Sequence, residues 1–390
     1  MVRDIKVIIG ANYGDEGKGL MTDYFAQQAR ENGQSCIVVL TNGGAQRGHT
    51  VVTPDGLEHV FHHFGSGTFA GADTFCPKQF IVNPMIFMKE LNQDLWRCGS
   101  KIFIHPECLV STPFDMLANM IIEESRGDAR HGSVGVGIWE TLCRAGAENV
   151  ADREIRTKTF GELMKMSDKE LDEYLLSVLM IYYVPYLSNE YNTNFGSYSS
   201  MVTSENLRTN WIKDFHTMCK ICTVSHEYVL HGYDSIIFEN GQGLLLDDKL
   251  NDPENGYYTT PSNTGFDNVK AILNPLYVVP SKFAKKEVVF VTRSYLTKHG
   301  GKDIPGKTEF DFIKKKDESN IHNDYQGDIM YAPMDWLDLV KRITNEFESK
   351  ATSDWTMSLA ITHCDELNDG LVNCKYKSYG RTGDDVKEIK

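Results

Sequence analysis

The run Val7-Ile8-Ile9-Gly10-Ala11-Asn12-Tyr13-Gly14-Asp15-Glu16-Gly17-Lys18-Gly19-Leu20 constrains this chain more than any other stretch. Ile5, Val7, Ile8 and Ile9 predict a buried strand, Met21 to Arg30 predicts a helix, and a glycine-rich turn joins them. Such a unit gathers free backbone N–H groups and the positive end of a helix dipole into an anion site. Lys18 adds a mobile cation. The pattern departs from an ordinary P-loop, Gly-x4-Gly-Lys-[Ser/Thr], because Asn12 stands at the first glycine and Gly19 follows the lysine. No hydroxyl waits there for a metal; instead Asp15 and Glu16 sit inside the loop. An acid beside polyphosphate is costly unless it binds a metal or moves a proton.

A chain of 390 residues can bury a large core, and its formal charge of −14 disfavours nucleic acid or an anionic membrane as partner. A phosphate site must then be a local basic pocket in an acidic body. Nine cysteines lie without framework spacing, no signal-peptide pattern opens the sequence, and no apolar stretch approaches a membrane span. A cytoplasmic protein with reduced thiols is expected.

Further strands are predicted at Cys36–Leu40, Phe80–Val82, 101–104, Ser235–Glu239, Val288–Thr292 and, as the last, Leu359–Thr362. A hairpin is expected from Val51 into Glu58–Phe64, and helices at Met85–Leu91, Asp115–Glu124 and Trp211–Leu230. Residues 151–191 read as mostly helical. Lys282–Lys286 and Lys314–Lys316 read as solvated charge. This alternation predicts one α/β domain over 1–390, a large mostly parallel central sheet with helices on both faces and a mostly helical subregion around 110–230. His216, Cys219, Cys222 and His226 have zinc-like spacing, but four ligands along one helical face cannot close a tetrahedron, so core thiols are expected. His59, His62 and His63 read as scaffold.

Five motifs carry a resemblance: Gly14-Asp15-Glu16-Gly17-Lys18-Gly19, Gly48-His49-Thr50, Gly132 to Ile138, Phe238-Glu239-Asn240-Gly241-Gln242-Gly243, and Thr260-Pro261-Ser262-Asn263-Thr264. In order and rough spacing they resemble those of adenylosuccinate synthetases, a P-loop-related family that couples GTP hydrolysis to joining aspartate onto C6 of IMP. The chemistry explains the residues. Oxygen at a purine C6 leaves poorly until it is phosphorylated, which needs a base for the N1 proton, and Asp15 is placed to be that base. Lys18 and Mg2+ would neutralise the transferring phosphoryl group, and His49 would donate to the developing anion.

The resemblance implies NTP-phosphate contacts at Gly14, Glu16, Gly17, Lys18 and Gly19, and metal ligands in Asp15 and the Gly48 carbonyl. It implies purine-monophosphate contacts at Asn12, Gln46, Ser133, Gln242 and Thr260, with Arg144 reaching across a homodimer interface. His363 and Asp365 fall on the guanine-reading motif, here Thr-His-Cys-Asp, which keeps GTP expected and leaves ATP open. Thr297, Lys298 and Lys302 fall on the loop that faces the amino acid. The family's arginines for the aspartate carboxylates are missing: one falls on Val136, and the cluster reads Gly327-Asp328-Ile329-Met330-Tyr331-Ala332-Pro333. Three readings remain. The chain is a purine-nucleotide ligase using aspartate, a relative taking another amine or a guanine nucleotide such as dGMP, or a binding protein without catalysis.

Overall fold

The computed structural model describes residues 4–91, 95–127, 130–146, 156–252, 254, 259–260, 262–274, 285–300, 303–308, 327–366 and 372–389. Its centre is a ten-stranded sheet. From one edge to the other the strands are Val386–Glu388, Tyr376–Ser378, Thr356–Thr362, Lys285–Arg293, Asp4–Gly10, Ser235–Gly243, Cys36–Leu40, Asp73–Cys76, Ile102–Ile104 and Thr223–Val224. Every neighbouring pair is parallel except the pair Tyr376–Ser378 and Val386–Glu388. The expected mostly parallel sheet is what forms.

Period-two alternation divides the strands between two cores. Ile8, Val38, Leu40, Val289 and Val291 pack with the helix Lys18–Glu31 and with Phe114, Leu171, Tyr183 and Trp211 of the helical region. Val7, Ile9, Val39, Phe238, Val288 and Phe290 pack with Val269 and Ile272 of helix Asp267–Leu273 and with Leu339 and Ile343 of helix Trp336–Lys350. Helices therefore cover both faces. The central strand Asp4–Gly10 lies between Ser235–Gly243 and Lys285–Arg293, so three motif-bearing strand ends open side by side.

Four local expectations need correction. The helix predicted to reach Leu230 is Glu205–Ile221; Cys222 is extended (φ −86, ψ 147), and an edge strand and a 3-10 turn follow. Leu359–Thr362 ends the strand Thr356–Thr362, which is not the last, because two short strands close that edge. The sheet strand Asp73–Cys76 escaped prediction because four residues between Gly71 and Pro77 carry too little pattern. Lys286 is not solvated: it is buried and its ammonium pairs with Asp354, whereas 282–284 and 314–316 lie outside the described residues. Residues 156–221 are mostly helical, with a π-helical stretch at Val178–Tyr183. No helix among the described residues is long and apolar enough to cross a membrane.

Candidate active site

The loop after strand Asp4–Gly10 is pressed from three sides. A Cβ on Gly243 would stand 2.2 Å from the Asn12 carbonyl, and one on Gly14 would stand 3.0 Å from the Gln242 side-chain oxygen. One on Gly17 would meet the Thr362 methyl at 3.0 Å, and Thr362 Oγ1 donates to the Glu16 carbonyl at 3.0 Å. One on Gly19 would meet the Thr50 carbonyl at 2.8 Å and the His49 Cβ at 3.1 Å. Glycine is needed here for close backbone approach. Gly17, which precedes the helix Lys18–Glu31, is also left-handed (φ 89). That helix has no side-chain cap at its N-terminus, so its first N–H groups stay available.

Lys18 is buried, and its ammonium curls back onto the Gly14 carbonyl with Glu16 Oε2 3.8 Å away. Burial pulls the lysine pKa down and pushes the Glu16 carboxyl up, each opposed by the other's charge. Glu16 Oε1 accepts from the Asn12 N–H at 2.6 Å, while Oε2 is buried without a hydrogen-bond partner among the described residues. The half-buried Asp15 carboxylate has no hydrogen-bond partner among the described residues, although Arg293 holds the Asp15 carbonyl. A free carboxylate beside the Lys18 ammonium suits a hard divalent cation such as Mg2+, which accepts oxygen ligands.

His49 begins the strand His49–Val52, and its ring is 5% exposed. Nδ1 lies 2.7 Å from Arg47 Nη2, a donor, and 2.6 Å from Glu239 Oε1, an acceptor. Nε2 lies 3.3 Å from the Gly241 carbonyl. Burial first, and the Arg47 charge second, bring the imidazole pKa down to about 4, so the ring is neutral at pH 7. A proton on Nδ1 goes to Glu239. A proton on Nε2 goes to Gly241, with Nδ1 accepting from Arg47. Arg47 and Glu239 thus let one buried ring present a lone pair or a proton at Nε2. Glu239 is fully buried, pairs with Arg47 at 2.6 Å and accepts from the Ser66 N–H and hydroxyl. Sequence reasoning gave Glu239 no role; its only signal was a carboxylate in an otherwise apolar strand before Asn240-Gly241.

Beside these groups lies a cavity of about 720 Å³, walled in part by Asn42, Gln46, Asn119, Ser133, Glu140, Gln242, Thr260 and Lys298. Of the expected purine contacts, Gln46, Gln242, Ser133 and Thr260 reach it. Ser133 already donates to Asn119 Oδ1 at 2.8 Å, and Thr260 to the Leu246 carbonyl at 2.6 Å. Asn12 is not a wall residue. Its amide donates to Thr292 and accepts from Arg342, so it braces the loop. Arg144 is likewise placed elsewhere: it is 1% exposed, its Nε and Nη2 hold Asp115 at 3.0 and 2.8 Å, and Nη1 holds Tyr174. In this conformation it cannot extend to a partner subunit.

Thr297 and Lys298 lie on the strand Leu296–His299, antiparallel to Ile329–Ala332; Lys302 lies outside the described residues. The Lys298 ammonium sits 5.4 Å from the Tyr13 ring centre, over its face. Positions where the family carries arginine are apolar here. Val136 packs with Ala45, Ile81 and Ile138, and Met330 with Ile304 and Ala332. His363 and Asp365 follow the strand Thr356–Thr362. The His363 ring contacts Thr362 Oγ1 at 2.9 Å with φ 59, and Asp365 is exposed.

Among the described residues one His/Glu group brings metal-ligand atoms within 4.8 Å: His105, His226 and Glu227. It lies at the sheet edge, not at the loop. His105 Nδ1 accepts the Glu107 N–H at 3.1 Å, whereas a metal-bound histidine donates from its second nitrogen. The spaced set on the helix also disperses, since His216 pairs with Asp168 and His226 meets His105.

Open parallel sheets place ligands at this carboxyl edge, and a glycine loop there with a buried lysine marks a phosphate-binding α/β protein. More narrowly, the chain belongs to the adenylosuccinate synthetase family, whose sequence model matches residues 7–368. It is 28% identical over 310 residues to the adenylosuccinate synthetase of Pseudomonas paraeruginosa, covering 77% of this chain and 64% of that protein. Over 244 residues it is 28% identical to that of Acaryochloris marina, covering 62% and 50%. The chain therefore spans about half to two thirds of the length of such relatives. Among solved structures it resembles fully ligated adenylosuccinate synthetase from Plasmodium falciparum, at TM-score 0.68 and 16% identity over 98% of this chain and 86% of that one. It also resembles the cyanophage S-2L succinoaminodeoxyadenylate synthetase bound to dGMP and dATP, at TM-score 0.65 and 14% identity over 100% and 96%. At these identities the structural likeness concerns the fold.

Proposed function

We propose that the protein is a purine-nucleotide ligase that phosphorylates the C6 oxygen of a purine monophosphate and displaces the phosphate with an amine. One observation carries this reading: Lys18 rests on the carbonyl of Gly14, which packs on Gln242, His49 contacts Arg47 and Gly241, and Arg47, Gly241 and Gln242 all line one cavity. Asp15 takes the N1 proton, and Lys18 leaves the Gly14 carbonyl for the transferring phosphoryl group. His49 offers a proton at Nε2 to the developing anion, and Gln242 reads the purine edge. Asp15 and the Gly48 carbonyl would hold Mg2+, which supplies charge neutralisation on the phosphoryl oxygens. Asp365 and His363 read the base of the nucleoside triphosphate, GTP or ATP. The cytoplasm and a homodimer are the expected setting.

A second reading, another amine or a guanine monophosphate such as dGMP, is favoured by the apolar surroundings of Val136 and Met330. No arginine fork stands there for a dicarboxylate. The test is a matrix of IMP, dIMP, GMP and dGMP, with GTP or ATP and a panel of amino acids, read as phosphate release and product mass. Phosphate release with no monophosphate dependence would sink both readings.

A further inference from the structure

One acidic group in the cavity wall has no part in phosphoryl transfer. Glu140, in the first turn of helix Ile138–Gly146, is 2% exposed and lines the cavity. Its Oε1 accepts from Asn119 Nδ2 at 3.0 Å, and its Oε2 is buried with no hydrogen-bond partner among the described residues. Asn119 is fixed in turn, because Oδ1 accepts the Ser133 hydroxyl at 2.8 Å. The neighbouring acid, Glu123, is fully engaged: it accepts the Gly132 and Ser133 N–H groups at 3.0 and 3.4 Å and pairs with Arg126. Of these two wall carboxylates, Glu123 is thus used by the protein, and Glu140 keeps an oxygen free. Buried acceptors are seldom left unmade, so a free one on a residue that lines a cavity points to a ligand contact. Burial lifts the Glu140 carboxyl to about 7, and a donor arriving at Oε2 would favour its ionised form.

We propose that Glu140 Oε2 reads the bound purine nucleotide by accepting a hydrogen bond from one of its neutral donors, a sugar hydroxyl or an exocyclic amino group. This rests on the ligase reading above and names a specificity residue within it. A phosphate at this point is disfavoured, because an unpaired carboxylate repels it. Glutamine at position 140 is the discriminating change. Asn119 would keep hold of the amide oxygen, and the amide N–H2 would then face the ligand donor.

The experiment measures binding of IMP, dIMP and dGMP to the wild type and to Glu140→Gln by calorimetry, with kcat/KM for each. IMP against dIMP isolates the 2′-hydroxyl, and dGMP against dIMP isolates the 2-amino group. In one of these comparisons the wild type should prefer the donor-bearing nucleotide by about ten- to a hundredfold, and Glu140→Gln should bring that ratio within about threefold. Unchanged binding of the nucleoside triphosphate shows that the variant is folded. If it is not, Glu140→Ala is read in the same way. A wild-type ratio within about threefold in both comparisons, or a ratio that survives the substitution, overturns the inference alone. A wild type that binds none of the three nucleotides overturns the inference and the ligase reading together.

Discussion

Replacing Glu239 by glutamine removes the negative charge with which the buried Arg47 pairs. Both side chains are at most 1% exposed, and their closest atoms are 2.6 Å apart. Among the described residues Arg47 Nε and Nη1 have no hydrogen-bond partner, so none is in place there to offset the lost charge. Breaking a buried pair from one side costs about 3–5 kcal/mol. At roughly 2.1 cal/mol/K of unfolding entropy per residue, that cost lowers the melting temperature of a chain this long by about 4–6 °C. The neutral double variant Glu239→Gln/Arg47→Met should recover at least half of the loss, because the orphaned charge goes with its partner. Activity should not recover, since His49 would then lack both groups that set its proton. Acidity adds a further check. Burial alone would raise the Glu239 carboxyl, but the Arg47 charge and the His49 contact overcome it and hold the group well below its ordinary 4.5. Its contribution is therefore complete above that pH and lost as pH falls below it, so wild type and variant converge in acid. The measurements are thermal and urea unfolding from pH 7 down to pH 3. A Glu239→Gln melting point within about 1 °C of wild type at pH 7, or no rescue by Arg47→Met, would refute the reasoning.

Four further outcomes are expected. Asp15→Asn should lower turnover by about a hundredfold to ten-thousandfold while nucleoside triphosphate binding persists; turnover within a few-fold of wild type removes Asp15 from the mechanism. Asp115→Asn should cost about 3–5 kcal/mol of stability, because it strips the charge from the buried Arg144 pair, and should leave the monophosphate KM nearly unchanged. Mixed Asp15→Asn and Arg144→Met subunits should show no complementation, and recovered activity would return Arg144 to a shared site. Aspartate should be a poor amine donor, since each lost charge-assisted pair to a carboxylate costs about 2–5 kcal/mol; saturation at sub-millimolar aspartate with IMP or dGMP would contradict that.

The central strands and the glycine loop were legible because their signals are local. Cys36–Leu40 was predicted to the residue, and the loop's demand for glycine is written in its spacing. What the sequence hid is contact across the sheet. Asn12 reads as a ligand contact until Arg342, on a helix 330 residues further along, is seen to bond its amide oxygen. Arg144 reads as an arginine that reaches across a homodimer interface; Asp115, 29 residues earlier, makes it a buried ion pair. Glu239 looked like a polar interruption, because its partners Arg47, His49 and Ser66 come from another part of the chain.

The two halves of the site also differ in how they are built, which gives a physical reason why one could diverge alone. Asp15, Lys18, His49 and Gln242 depend on strand ends and loops tied to the central sheet, where a Cβ added at Gly10, Gly19 or Gly243 would meet a neighbouring atom within 2.8 Å. A change there propagates into both cores. The arginine positions before helix Trp336–Lys350 lie instead on a separate two-stranded antiparallel sheet, Leu296–His299 with Ile329–Ala332, backed by the small cluster of Ile304, Met330 and Ala332. Apolar residues can replace arginine in that small sheet and close over this cluster, which meets the phosphate loop at Tyr13. The same separation makes the amine side the part in which exchanged residues would alter the product while Asp15, Lys18 and His49 kept their geometry.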